Sequence, residues 1–283
     1  MTGSVLDLFC GAAGGWSLGM HRAGYRTVAA AESDPWRRAA FLHNNPGVEM
    51  FDDVRAVTAD ALRERLGYLP DIIVGSPPCQ DASSANAKGK GVGGARTGLF
   101  SEFVRLVREV RPLWCAAENV PPLRTRGADW VLSALAAAGY PTWPLVVGAW
   151  HAGAWHRRNR VWIVGARADA CDAPRDGWRQ GRTGRSVEPD QGPRLDALQA
   201  DGGDAASVLG AQEPGHLPDG LTAFVGQWPA WNPGSAPDGR VGHGLPKGMA
   251  RDCLAAYGDA VIPQIPEAIG RVMARLVPVE AAA

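Results

Sequence analysis

Lysine is nearly missing from this 283-residue chain: Lys88, Lys90 and Lys247 are the only three, and arginine carries the rest of the positive charge. Arginine suits bidentate contact with phosphate or guanine, although a GC-rich coding sequence produces the same bias. Basic and acidic residues number 29 each, so no global field marks a nucleic-acid binder, while a local basic cleft stays open. The five cysteines (Cys10, Cys79, Cys115, Cys171, Cys253) are scattered, form no CxxC pair and join no Cys/His cluster. That pattern excludes a disulfide framework and a zinc site, and no metal is expected. No apolar run approaches the length of a membrane span. The start, "MTGSVLDLFCG", enters a strand at once and lacks a signal-peptide layout. The expectation is a soluble protein of a reducing cytoplasm, with no membrane association. There is no internal repeat, and the Gly-rich turn after the first strand is not GxGxxG.

What is present is alternation. "SVLDLFC" reads as a strand and is followed by a helix from Trp16 to Ala23. "RTVAAAE" is a second strand and "PWRRAAFLHNN" a second helix, and a third strand closes on "FDDV". "DIIVGS" and "LWCAAENV" are further strands, separated by "LFSEFVRLVREVRP", whose apolar spacing is helical and whose proline is a stop. "DWVLSALAAAGY" is a helix ending near Gly139, and "RVWIVGA" is a strand. Such alternation predicts an α/β fold with a doubly wound, mostly parallel sheet, whose ligands collect at the carboxyl ends of the strands.

From about Asp169 to Gly244 the periodicity fades and Gly, Pro, Asp and Arg dominate. A linker has such a composition, but the cluster of Phe224, Trp228 and Trp231 favours a small irregular domain or long insertion. Beyond it, helical periodicity returns. The expected division is 1–168 as catalytic and cofactor-binding domain, 169–244 as a separate region, and 245–283 as a helical segment packing back on the first.

Three features carry the chemistry. The first is "DLFCGAAGGWSLG", a Gly-rich turn between strand and helix that lets backbone approach a ligand closely. Glu32 ends the next strand at about the 20-residue interval used to grip ribose hydroxyls, and Asp53 is placed to accept from an exocyclic amine. Each carboxylate alone reads equally well as an ordinary loop side chain; together they outline a nucleoside cofactor. The second feature is Cys79 in "SPPCQ", just past a strand end on a backbone stiffened by two prolines. An isolated cysteine is more often an idle thiol. The third is "AAENV", which sets Glu118 and Asn119 at the end of an apolar strand, where desolvation raises a carboxyl pKa. A capping carboxylate is the plainer reading.

In the order FxGxxGG, PPCQ, ENV, an RxR strand start and GxAV, the chain resembles the DNA (cytosine-5)-methyltransferases. The motifs run from Asp7 to about Gly270 and leave only the variable segment uncovered. The resemblance implies a Rossmann-like, S-adenosyl-L-methionine-dependent fold, with S-adenosyl-L-homocysteine as product and 169–244 as target recognition region. It implies that Cys79 adds to C6 of cytosine, that Glu118 bonds N3 and the exocyclic amine, and that Asn119 braces the loop around Cys79. Arg158 and Arg160 would support the target base and the active-site carboxylate. Phe9, Gly11, Gly14, Gly15, Glu32, Asp53, Pro78, Leu99, Asp259 and Val261 would hold the cofactor. In the Gly-rich segment 81–98, Lys88, Lys90 and Arg96 would meet phosphates. Gln80, Ser83 and Ser84 would lie against DNA, the latter two contacting its backbone or filling the space of a flipped base. Arg175, Arg179, Arg182 and Arg185 are candidate DNA contacts in the recognition region. Three positions depart from the family pattern: Ala13 lengthens the glycine loop, His156 replaces a glutamine, and Asp259 replaces an asparagine. The expected partner is double-stranded DNA, met by a monomer, with a cognate restriction endonuclease as companion. Competing readings are an RNA methyltransferase, an idle cofactor- and DNA-binding protein, and a nicotinamide dehydrogenase. The last leaves PPCQ and ENV unexplained.

Overall fold

The computed structural model describes residues 3–78, 98–125, 127–154, 156–171, 256 and 258–276. Seven strands and seven helices occur among them: β1 Ser4–Leu8, α1 Gly15–Arg22, β2 Arg26–Ala31, α2 Pro35–Asn44, β3 Glu49–Phe51, α3 Ala59–Leu66, β4 Ile72–Gly75, α4 Gly98–Val110, β5 Trp114–Asn119, α5 Ala128–Ala137, β6 Thr142–Val147, β7 Arg160–Ala166, α6 Ala168–Cys171 and α7 Gln264–Leu276. The strands form one sheet in the order β3-β2-β1-β4-β5-β7-β6. Pairings from β3 to β5 are parallel, whereas β7 runs antiparallel to both of its neighbours. This is the doubly wound α/β architecture expected from the alternation, with one strand reversed.

Strand residues alternate between two cores, as the period of a pleated strand demands. Leu6, Ile73, Cys115 and Ala117 face one side, packed with Phe103, Val104 and Val107 of α4 and Leu135 of α5. Val5, Ile72, Val74 and Trp114 face the other, packed with Trp16 and Met20 of α1 and Ile265, Ile269 and Met273 of α7. With helices on both faces the central strands are buried on both sides, which is why β4 and the first four residues of β5 read as apolar runs and β1 is broken only by the buried Asp7. Three tryptophans, Trp16, Trp114 and Trp162, are almost wholly enclosed in the second core; truncating any of them to alanine costs about 3–5 kcal/mol.

Three elements escape the sequence reading, the shortest being the single-turn α6. β6 contains Pro144 and exposes Trp143, and proline argues against an interior strand; it is tolerated because β6 is the sheet edge. α3 buries only Leu62, so it has no apolar stripe, yet Thr58 caps its start by accepting from Ala61 N at 3.0 Å, and Gly67 ends it with φ 83°. No helix among the described residues is long and apolar enough to cross a membrane.

The strand order changes direction between β1 and β4, and a crevice opens there at the carboxyl ends. Because β7 is reversed, it is the start of β7 that reaches this edge, with Val161 opposite Asn119 and Trp162 opposite Glu118. The reversal therefore delivers a basic residue, Arg160, to an edge where the parallel strands deliver acidic and loop residues.

Candidate active site

A cleft of about 680 Å³ lies along this edge. Its walls are the turn after β1, the ends of β2 and β3, Ser76 to Pro78 after β4, Leu99 of α4, the end of β5, Arg160 and residues 258–261.

At one end the chain turns sharply after β1. Phe9, Gly11 and Gly14 all take positive φ, at 58°, 61° and 56°. The turn thus starts two residues before the first glycine, on an aromatic side chain for which this conformation is unfavourable. Glu32 locks it: one carboxylate oxygen accepts from Gly11 N at 3.0 Å, and the other from Asp34 N at 3.0 Å. Gly15 opens α1 directly against the Val261 carbonyl, where a Cβ would overlap it. Asp53 caps a 3-10 turn, accepting from Arg55 N at 2.9 Å, and faces the cleft beside Asp52 and Val54.

At the other end, Glu118 is 7% exposed. Arg160 Nε forms an ion pair with its Oε1 at 2.9 Å, and Ser76, set beside it by the β4–β5 register, favours the charged carboxylate. Burial pushes the Glu118 carboxyl above its ordinary pKa, against the pull of Arg160, Ser76 and Arg158. Asn119 is buried and uses both ends of its amide: Nδ2 donates to the Pro77 carbonyl at 2.9 Å and Oδ1 accepts from Val120 N at 2.8 Å. The bond to Pro77 anchors the backbone two residues before Cys79.

Arg158 lies apart from the carboxylate it was expected to support. It donates to the carbonyls of Gly258 and Ala260 at 2.6 and 2.7 Å, so it fastens the 258–261 segment to the start of β7 and reaches Glu118 only through its field. Burial and the neighbouring Arg160 lower its pKa. Asp259 is exposed and ion-paired with Arg37 of α2 at 2.8 Å, so the added charge at this position is matched by a cation. His156 is partly buried, and Ala13 is exposed in the turn. Cys79, Gln80, Ser83, Ser84, Lys88, Lys90 and Arg96, with the arginines of the 169–244 region, lie outside the described residues. Among the described residues no group of His, Cys, Asp or Glu has the makings of a metal site.

Trp16, Ser76 and Arg37 were not singled out in the sequence. Ser76 and Trp16 are bonded across 60 positions, and Arg37 and Asp259 across 222. No local spacing signals either pair.

A reversed seventh strand in an otherwise parallel sheet, with a glycine turn after β1 and an acidic side chain at the end of β2, defines a Rossmann-like methyltransferase fold. A Spodoptera frugiperda DNMT2 structure shares this fold, with a TM-score of 0.50 and 18% identity, covering 65% of this chain and 54% of its own. The sequence model of the C-5 cytosine-specific DNA methylases matches residues 3–189, and the chain belongs to that family. The Type II methyltransferase M.HgiDI of Herpetosiphon aurantiacus is 33% identical over 165 residues, which are 58% of this chain and 52% of the relative. M.HgiGI of the same organism is 38% identical over 121 residues, 42% of this chain and 92% of its own length. A crystal structure of a candidate DNA modification methyltransferase encoded within an E. coli prophage aligns with a TM-score of 0.51 at 30% identity, covering 59% of this chain and 47% of that one. The chain spans about half the length of the first curated relatives it matches.

Proposed function

We propose that the protein is a DNA cytosine-5 methyltransferase acting on a cytosine flipped out of duplex DNA. The observation that carries this reading is the continuity of the cleft. A buried, donor-held carboxyl at Glu118 and a backbone turn with acidic neighbours at Glu32 and Asp53 share one cavity. A target base and a nucleoside cofactor can thus lie in contact, within the volume typical of ligand sites.

The donor set fits S-adenosyl-L-methionine. Glu32 and Asp53 offer acceptors for hydroxyl and amine hydrogens, Phe9 and Leu99 supply apolar wall, and Gly11 has open space where a side chain would stand. When bound, the cofactor supplies an electrophilic methyl carbon to C5 and is left as S-adenosyl-L-homocysteine. The chain's own residues do the rest. The Cys79 thiolate forms a bond to C6, and the displaced π electrons move toward C5 and N3. Glu118, whose neutral form burial favours, hydrogen-bonds N3 and accepts from the exocyclic amine, so charge developing on the ring meets a partner already in place. Arg160 holds Glu118 in register. Asn119, through Pro77, steadies the segment that carries Cys79. After loss of the C5 proton to a base, Cys79 leaves and the 5,6 double bond re-forms.

The remaining assignments belong to the same proposal. Residues 1–168 form the catalytic domain, 169–244 choose the DNA sequence, and 245–283 complete the cofactor wall. Gln80, Ser83, Ser84, Lys88, Lys90 and Arg96 meet DNA. The protein works as a cytoplasmic monomer, and the Type II names of its relatives support a cognate restriction endonuclease as companion.

The test is a covalent trap. Fluorine at C5 cannot leave as a proton does, so random-sequence duplexes carrying 5-fluorocytosine, with S-adenosyl-L-methionine, should give a band of slowed mobility on a denaturing gel that Cys79→Ala abolishes. Methyl transfer by Cys79→Ala, or transfer to RNA and not to DNA, would overturn the reading.

A further inference from the structure

Glu118 is not held by Arg160 alone. Ser76, immediately after β4, is set beside Glu118 by the β4–β5 register, where its hydroxyl favours the charged carboxylate, and Ser76 Oγ accepts from Trp16 Nε1–H at 3.2 Å. An indole nitrogen donates and has no lone pair to offer, so the direction of this bond is fixed. Ser76 uses a lone pair on Trp16, and its one hydroxyl hydrogen is left for Glu118. The indole cannot turn away. Trp16 is 2% exposed, and its ring stands edge-on to that of Trp162 with centroids 5.3 Å apart. Trp162 is anchored in turn by donating to the Val147 carbonyl at 3.2 Å. A rigid aromatic pair from α1 and β7 thus sets the polarity of a hydroxyl on β4, and that hydroxyl contacts the buried carboxyl on β5.

We propose that Ser76, kept in donor polarity by Trp16, is a positioning residue that fixes the orientation of Glu118 between itself and Arg160. The inference rests on the role given to Glu118 above. Its physical content is that a serine hydroxyl left alone rotates and can present either a proton or a lone pair. A lone pair aimed at a buried carboxylate would repel it. Arg160 and Arg158, both from the start of β7, are the charged groups whose fields reach Glu118; Trp16 adds no charge from the α1 side. The bond from Ser76 favours the ionised form, so its loss raises the Glu118 pKa further. With the neutral acid as the working form, the alkaline limb of the kcat profile then moves to higher pH.

The experiment compares Ser76→Ala, Ser76→Thr and Trp16→Phe in the full chain. Ser76→Ala should lower kcat about tenfold, the effect of losing one hydrogen bond to a charged group. It should also move the alkaline limb upward, with cofactor affinity by calorimetry within about twofold because the cofactor half is untouched. Ser76→Thr, which keeps the hydroxyl, should recover most of the rate and bring the limb back. Trp16→Phe keeps the ring and loses only the donor, and should shift the limb in the same direction by less. Independently of activity, the Trp16 indole N–H resonance, identified by its loss in Trp16→Phe, should move and exchange faster in Ser76→Ala. An active parent with Ser76→Ala kinetics and limb unchanged would overturn the inference. So would a loss of rate that threonine does not restore, or an unmoved indole resonance. A parent protein with no methyl transfer to any DNA would sink the functional reading, and this inference with it, in a way that no Ser76 variant can imitate.

Discussion

The two halves of the cleft are made of different material. On the β1–β2–β3 side the contacts are built around main chain: departures into positive φ at Phe9, Gly11 and Gly14, an N–H tied to Glu32, and a glycine pressed on the Val261 carbonyl. On the β4–β5–β7 side they are buried side chains, Glu118, Asn119, Ser76 and Arg160, each with a named partner. Backbone sites read shape and respond to added atoms. Side-chain sites tune protons and respond to changed charge. A perturbation of one kind should therefore damage one half and spare the other.

The sharpest way to break this contrast is Glu118→Gln. The volume is kept, but the group can no longer share a proton or pair its charge with Arg160. Loss of a positioned acid–base group lowers kcat by about a thousandfold, while cofactor affinity should stay within about threefold because no atom of the glycine turn is altered. Label transfer to DNA measures the first and calorimetry the second. If cofactor affinity fell in proportion to kcat, the two halves would not be separable.

Asp7 tests what lies beneath the backbone half. It is fully buried in β1; its Oδ2 accepts from Ser17 N at 3.2 Å and Ser17 Oγ at 2.6 Å, and its Oδ1 has no partner among the described residues. Burial, opposed by the two Ser17 bonds and aided by Glu32, raises its pKa from 3.8 to about 7. Between those values the folded chain holds a proton that the unfolded chain has released, so stability falls as pH rises through the window, and the loss is complete above it. The whole effect is about 4 kcal/mol at most. Asp7→Asn should remove this part of the pH dependence, which urea unfolding at acidic and at slightly alkaline pH will show. An unchanged slope would mean that Asp7 is ionised in the folded protein.

How much of this was legible in the sequence follows from the same contrast. Doubly covered strands announce themselves as apolar runs, so β1, β2, β4, β5 and β7 were readable, and the glycine turn was readable because few other residues tolerate positive φ. β6 was hidden by Pro144, which only an edge position excuses, and α3 by its lone buried leucine. The motif residues lining the cleft could be named, but their partners could not. That Asn119 would reach back to Pro77, that Arg158 would turn to the 258–261 segment, or that Asp259 would find Arg37 depends on strand order and helix return. These pairings carry no periodicity, and the reversal of β7 that brings Arg160 to Glu118 leaves no mark in its own residues.

The finest test separates two reasons for a glycine inside the backbone half. Gly11 has φ 61° and nothing within 4 Å of the position a Cβ would take, so Gly11→Ala meets conformational strain with no steric contact. Gly15 has ordinary φ but no room, since its Cβ would strike the Val261 carbonyl, so Gly15→Ala meets steric overlap alone. The first substitution should cost about 1–2 kcal/mol of stability and leave the 258–261 segment in place. The second should cost about 1–3 kcal/mol and push that segment, with Val261, away from the turn. Only Gly15→Ala should then weaken cofactor binding by more than its loss of stability explains, because it moves a wall of the cleft and Gly11→Ala does not. Equal losses of cofactor affinity in the two variants, measured by calorimetry at a temperature where both are folded, would show that the conformation of the turn, and not its contact with the C-terminal segment, sets the shape of this half.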